Sequence, residues 1–308
     1  MAVEAPAAPE TRLTWRTLRE TYRTLLTLFK ARIVFLLLMA ALGGAFLGAH
    51  GVPTPGDLVT ILLTGALAAG GASAINQYLE RHSDSRMTRT EKRPMVNGQI
   101  RHPHLVLAVA GGMIAVAVLA VLPGNPVMAL YLLLGALIYV GIYTIWLKPR
   151  SVLNIVIGGA AGSCAVLTGG AAVGAASAPG VIALAGLLFL WTPAHFWALA
   201  MFHKDDYTAT ATPMLPVLIS PPQTAWWIFI HALSTGLAAI ILAVHPMLGL
   251  LYLVPAGAFT LAMLIGGVRL IRKPTRKHAI SLFVTTNIFL LAVFVIIMVA
   301  TVSNQFLF

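Results

Sequence analysis

The sequence predicts an all-α polytopic membrane protein, with nine transmembrane helices around a central cavity. Three observations carry that expectation. The chain has 308 residues, of which 59% are hydrophobic and only 9% charged, against about 25% charged in soluble domains. Apolar runs of roughly 17–25 residues recur along it, each long enough to cross a bilayer. All 20 Lys and Arg residues fall in alternate inter-span segments, as the positive-inside rule requires of a polytopic chain.

Taken in order, residues 1–12 are rich in Ala and Pro and read as disordered. From Leu13 an amphipathic pattern follows, with Trp15, Leu18, Tyr22, Leu25, Leu26 and Phe29 at helical spacing and Arg12, Arg16, Arg19 and Arg23 between them. A basic amphipathic helix ahead of a span lies in the membrane interface. The expected organisation is therefore a tail over residues 1–28 and one membrane domain over 29–308. Residues 1–28 lack the continuous apolar core of a secretory signal, and Glu4, Glu10 and Glu20 argue against a transit peptide.

The expected spans are roughly 33–49, 58–79, 104–122, 127–146, 152–173, 180–201, 224–244, 248–268 and 280–302. Basic residues lie before the first span and after spans two, four, six and eight. The loops between are short and carry none, as in Pro123–Pro126. This places the N-terminus inside and the C-terminus outside. The net charge of +11 is thus a topology signal, and no nucleic-acid partner is expected. Small residues cluster at Gly70–Ala74 and Gly158–Ser163, where they read as close helix packing. The single cysteine, Cys164, excludes an intrachain disulfide and reads as a small packing residue.

Acidic residues mark the chemistry, because Asp and Glu contribute little to topology. Five of the nine lie in two loops on the basic face: Glu80, Asp84 and Glu91, then Asp205 and Asp206. If the second span stays helical to its end, Asn76, Glu80 and Asp84 stack on one face at intervals of four. Oxygen donors of this kind suit Mg²⁺, which is held by one or two carboxylates together with substrate phosphates. Arg81, Arg86, Arg89, Lys92 and Arg93 surround them. Carboxylates mixed with guanidiniums suit a metal-bound diphosphate.

The run Asn76-x3-Glu80-x3-Asp84-x2-Met87-x-Arg89-Thr90-x2-Arg93-Pro94 resembles the first loop of the UbiA superfamily of intramembrane prenyltransferases. Its tail resembles the protoheme IX farnesyltransferase (haem O synthase) branch. Asp206-Tyr207-x5-Pro213-Met-Leu-Pro216 resembles that branch's second loop, His195-Phe-Trp197 its His-Phe-Trp motif, and Lys148-x-Arg150 its loop after span four. The chain departs from the pattern at Glu80, where Asp is usual, at Cys164-Ala165, where a Pro-Pro pair is usual, and at Lys30-Ala31-Arg32, where Lys-Pro-Arg is usual.

The resemblance implies farnesyl transfer from farnesyl diphosphate to a vinyl group of haem B, with Mg²⁺ as cofactor. It implies Asn76, Asp84, Asp206 and Tyr207 as catalytic residues, with Glu80 and Asp205 as further metal ligands. Arg81, Arg89, Arg93, Lys148, Arg150 and Lys204 would hold the diphosphate. Tyr139, Tyr143 and Tyr207 are candidates for steadying a carbocation. His195, roughly 15 Å along a helix from Asp205, would contact haem or hydrogen-bond a neighbouring helix. The implied setting is the cell inner membrane with the loops cytoplasmic, where a haem A synthase or oxidase could be an assembly partner. A prenyltransferase acting on an aromatic quinone precursor shares the metal loops. A secondary transporter would place its acids near the midplane, whereas these lie at the span ends.

Overall fold

The computed structural model describes residues 15–305. The expected disordered tail, Leu13 and the side chains of Trp15 and Arg16 fall outside what it describes, as does the terminal Phe308. Among the described residues there is no strand, and nine helices are long and apolar enough to cross a membrane.

α1 (Trp15–Leu28) is a helix whose described side chains are mostly exposed, with Leu28 buried at its end. The Gln77 side chain donates to the Thr27 and Leu28 carbonyls, satisfying groups that a helix C-terminus leaves open. Lys30 then adopts a left-handed conformation (φ 50°) and turns the chain into α2 (Ala31–Ala49).

α3 (Pro55–Asp84) begins at a capping box formed by Thr54 and Asp57. Its 30 residues span roughly 45 Å at 1.5 Å per residue, against about 30 Å of hydrocarbon. Its last turns therefore project from the membrane on the basic face, still helical through Asn76, Glu80 and Asp84.

α4 (Pro103–Val121) and α5 (Pro126–Leu137) follow. The fourth span then continues as a π-helix, Ile138–Leu147. The fifth span breaks at Gly159 into α6 (Asn154–Gly158) and α7 (Ala160–Ala172). α8 (Pro179–Phe202) is the most buried span, and carries Pro193 within it. The short helices α9 (Lys204–Ala209) and α10 (Leu215–Leu218) form the second loop. α11 (Pro221–Leu242), α12 (Gly249–Arg272) and α13 (Arg276–Asn304) complete the chain.

The spans pack in chain order, and α13 returns to α2, so the sequence of neighbours closes on itself. α2 also crosses to α7. A Cβ at Gly169 would overlap the Ala41 carbonyl, and one at Gly44 the Val166 carbonyl. Glycine is what lets these two backbones touch. Gly44 and Gly169 lie outside the two expected small-residue clusters; within those clusters, a Cβ at Gly71 would sit 2.6 Å from the Ala110 carbonyl of α4 and one at Gly158 2.8 Å from the Tyr143 ring.

The end of α13 lies on the face opposite the basic loops. Asn304 Nδ2 donates to the Met247 carbonyl, and the Val52 amide donates to Gln305 Oε1. Among the described residues, the path therefore makes nine crossings and its two ends lie on opposite faces.

Candidate active site

The chemistry gathers where the end of α3 meets the π-helix, the turns of residues 85–97 and α9. Asn76 and Asp84 are buried. After Asp84 the chain folds back: Thr90 Oγ1 donates to the Asp84 carbonyl, and Arg93 Nη1 to Asp84 Oδ2 at 2.5 Å.

The two loops are joined directly. Asp206 Oδ1 accepts from the Thr88 amide at 3.1 Å and from its hydroxyl at 2.5 Å. Arg89 Nη2 donates to the Tyr207 hydroxyl at 2.8 Å, with the guanidinium 4.9 Å above that ring. Asp206 Oδ2, however, accepts no hydrogen bond. Its nearest basic atoms are His203 Nδ1 at 3.5 Å and Arg89 Nε at 4.0 Å. Burial works against ionisation of Asp206, but the Thr88 hydrogen bonds, with His203 and Arg89, hold its pKa below the usual carboxylate value. It is a formed anion with one oxygen uncommitted.

The π-helix builds the facing wall. Its wider turn stacks Tyr139 on Tyr143, with centroids 5.8 Å apart and planes 8° from parallel. Gly158 seats the Tyr143 ring, since a Cβ there would lie 2.8 Å from it. Lys148, one residue beyond, pairs with Glu80. Burial disfavours its charge, yet the Glu80 carboxylate overrides that and raises the Lys148 pKa.

Lys30 is the residue that sequence reasoning missed. From its left-handed turn, Nζ donates to Asn76 Oδ1 and to the Tyr139 hydroxyl. Asn76 in turn donates to Thr144 Oγ1 at 2.9 Å. Burial, reinforced by the Arg93 guanidinium, pushes Lys30 down to about 7. In sequence Lys30 reads as one more flanking charge; only its turn aims it inward.

Three expected site residues, Arg81, Arg150 and Asp205, are engaged elsewhere. Arg81 lies 4.1 Å above the Tyr78 ring and donates to the Tyr78 carbonyl. Arg150 donates to the Ile145 and Trp146 carbonyls, closing the π-helix. Asp205 is exposed and paired with Arg276 at 2.7 Å. Lys204 is half-buried, and its amine has no polar partner among the described residues.

His195 lies apart, within α8. Its ring is stacked between Trp191 and Phe283, at centroid distances of 4.2 and 4.4 Å. Nδ1 lies 3.1 Å from Thr286 Oγ1, which donates its own proton to the Phe283 carbonyl. Nδ1 is therefore assigned the proton, leaving Nε2 as the lone-pair nitrogen. Asn287 Nδ2 is 3.4 Å from Nδ1 and donates at the shorter distance of 3.0 Å to the Phe283 carbonyl, which leaves Thr286 the nearer partner of Nδ1.

Among the described residues, no three His, Cys, Asp or Glu side chains converge to hold a metal ion. The oxygen donors nonetheless fit a hard cation. Asp206 Oδ2 is buried without a hydrogen bond, and Mg²⁺ ordinarily completes its shell with substrate phosphates and water.

Residues 37–294 match the UbiA prenyltransferase family. A protoheme IX farnesyltransferase of Metallosphaera sedula is 39% identical over 275 residues, covering 89% of this chain and 94% of that protein. One from Gloeobacter violaceus is 40% identical over 272 residues, covering 87% and 88%. One from Thermus thermophilus is 40% identical over 275 residues and 89% of this chain, which spans only 45% of that protein's length. In fold, the chain is similar to a digeranylgeranylglyceryl phosphate synthase structure, with TM-score 0.76, 13% identity and coverage of 92% and 99%. It is also similar to a UbiA homologue from Archaeoglobus fulgidus bound to GPP and Mg²⁺, with TM-score 0.62, 15% identity and coverage of 89% and 99%.

Proposed function

The chain belongs to the UbiA prenyltransferase family, and from that premise we propose that it transfers the farnesyl group of farnesyl diphosphate to a vinyl group of haem B. The observation that carries this reading is the joined pair of loops. Asp84 stands beside Arg93, Asp206 beside Arg89 and Glu80 beside Lys148, with the two loops joined through Thr88 and Tyr207, so the joined loops offer oxygen donors for a cation and basic donors for a diphosphate. The names of the M. sedula and G. violaceus relatives support haem as the acceptor.

Asn76, Asp84 and Asp206 would hold a divalent cation such as Mg²⁺, with Glu80 within reach of the same neighbourhood. That cation supplies charge neutralisation for the departing diphosphate. Arg89, Arg93 and Lys148 bind the diphosphate oxygens and stabilise the charge that develops on the bridging oxygen. Tyr139, Tyr143 and Tyr207 offer aromatic faces beside the allylic carbon and keep water from it. The vinyl terminal carbon attacks that carbon as the C–O bond breaks. Water then adds to the neighbouring carbon and loses a proton, giving a hydroxyethylfarnesyl side chain. Arg81, Arg150 and Asp205 stand outside this reading, because their side chains are engaged elsewhere, while Lys204, whose amine has no polar partner among the described residues, keeps its expected place as a diphosphate contact.

His195 belongs to the acceptor side. Its bare Nε2, with Nδ1 fixed by Thr286, is the form that coordinates iron. The active-site loops would face the cytoplasm, an orientation that the basic residues around them support.

The test is detergent-purified protein with farnesyl diphosphate, Mg²⁺ and haem B, read by the mass of the haem product. The expected gain is one farnesyl plus one hydroxyl group, with release of diphosphate. Unmodified haem B with an intact, folded protein overturns the reading. In the same preparation His195→Ala should weaken the Soret change on haem titration and leave farnesyl diphosphate affinity unaltered. An identical titration would leave His195 as a packing residue.

A further inference from the structure

Of the four residues assigned to the cation, three already have an oxygen engaged by a basic group suited to bind an anion, and among the four only Asp206 Oδ2 is buried without a hydrogen bond. Asn76 Oδ1 accepts from Lys30, Glu80 Oε1 from Lys148, and Asp84 Oδ2 from Arg93. Asp206 Oδ1 accepts from Thr88, with Arg89 Nε 4.0 Å from its other oxygen. No three acidic or metal-ligating side chains form a ready cage among the described residues. The site is neutralised from within, and it is incomplete as a binding site for either ligand alone.

A cation entering alone must take Asn76 from Lys30 and Asp84 from Arg93. Lys30 then keeps only the Tyr139 hydroxyl and Arg93 loses its carboxylate, with the new positive charge beside both, which costs most where water is scarce. A diphosphate entering alone draws the basic groups toward itself and leaves the carboxylates unpaired beside an anion. When both enter, every released group finds a partner.

We propose that cation and diphosphate load together by this exchange, and that Lys30 is the residue that releases Asn76 as they do. The inference rests on the metal–diphosphate reading of the site. Lys30 suits the role because it has two partners: on leaving Asn76 it keeps the Tyr139 hydroxyl, 2.9 Å away, and stays at the site. Thermodynamic linkage makes the coupling reciprocal, so each ligand raises affinity for the other by the same factor.

The experiment uses Mn²⁺ as probe and inorganic pyrophosphate as partner, with equilibrium dialysis against the full detergent-solubilised chain. Pyrophosphate should raise protein-retained Mn²⁺ affinity by about tenfold or more, within the usual range of such coupling. In Lys30→Met, Mn²⁺ alone should bind several-fold more tightly than in wild type, and the gain from pyrophosphate should shrink. Lys148→Met should shift in the same direction through Glu80. The wild-type measurement needs no variant, so a poorly folding substitution does not remove the test. Equal Mn²⁺ affinity with and without pyrophosphate, unchanged in Lys30→Met, overturns the exchange while leaving the metal site standing. Failure to retain Mn²⁺ under any condition overturns the metal-site reading itself, and the exchange with it.

Discussion

Asp205 and Asp206 are neighbours in the chain with opposite surroundings. Asp206 is buried against Thr88, while the Asp205 side chain is 76% exposed and pairs with Arg276. An exposed ion pair is worth about 0–1 kcal/mol, whereas a preorganised electrostatic group in a site is worth about 10²-fold in rate. Asp206→Asn should therefore lose roughly 10²-fold in turnover, and Asp205→Asn should stay within about threefold of wild type. Comparable losses in both would mean that the α9–α13 ion pair also holds the site. The sequence offered both acids, and the resemblance singled out Asp206; burial supplies the physical reason. Arg81 and Arg150 show the converse. Their charge was legible, but a long side chain takes whatever ring or carbonyl lies within reach, and that depends on local geometry.

A second prediction at this scale concerns the face opposite the site. His245 lies beneath the His50 ring, with centroids 5.4 Å apart, and packs on Gly180. Burial, with His50 beside it, holds the His245 pKa below the ordinary value of 6.5. A depressed folded-state pKa means that the unfolded chain takes up the proton first. Stability is thus full above about 6.5 and declines as pH falls below it. Thermal unfolding in detergent from pH 7.5 to 5 should show that decline, and His245→Gln should reduce it. An unchanged slope in the variant would assign the acid sensitivity to other groups.

At the scale of elements, the helices were legible where composition decides and hidden where hydrogen-bond register does. α3 continues to Asp84 because polar helix formers follow its apolar run, so the four-residue spacing could be seen in advance. The π-helix could not: Ile138–Leu147 is almost uniformly apolar, and such a run has no face from which to read a period. Tyr139 and Tyr143 stack because of that wider turn. Glycines were visible as a class, but their separate roles were not. Gly169 meets the Ala41 carbonyl, a backbone atom that cannot step aside, whereas a Cβ at Gly111 of α4 would meet nothing within 4 Å. Gly169→Ala should cost about 1–3 kcal/mol or more by overpacking. Gly111→Ala should be neutral or stabilising by up to about 1 kcal/mol, the helix-propensity difference. Unfolding temperatures in one detergent separate the two. Equal effects would mean that α2 and α7 can move apart freely.

At the scale of the whole molecule, charge placement and the nine-helix path give one account of sidedness. Every Lys and Arg lies before the first span or after an even-numbered one. The end of α13 is tied to residues 52 and 247 on the other face. A chain inserted with its basic loops inward therefore presents the Asp84–Asp206 site to the cytoplasm and the turn at Gly124 to the outside. Cys164 is the single cysteine and is buried, so a Cys164→Ala background can carry one reporter thiol at a time. Asn97→Cys lies in the exposed turns between α3 and α4, and Gly124→Cys lies in the turn before α5, with open space around it. A membrane-impermeant maleimide applied to intact cells should label Gly124→Cys and spare Asn97→Cys until the membrane is broken. The reverse pattern would place the site outside and overturn the orientation. Labelling of both in intact cells would mean mixed insertion, which the one-sided charge is arranged to prevent.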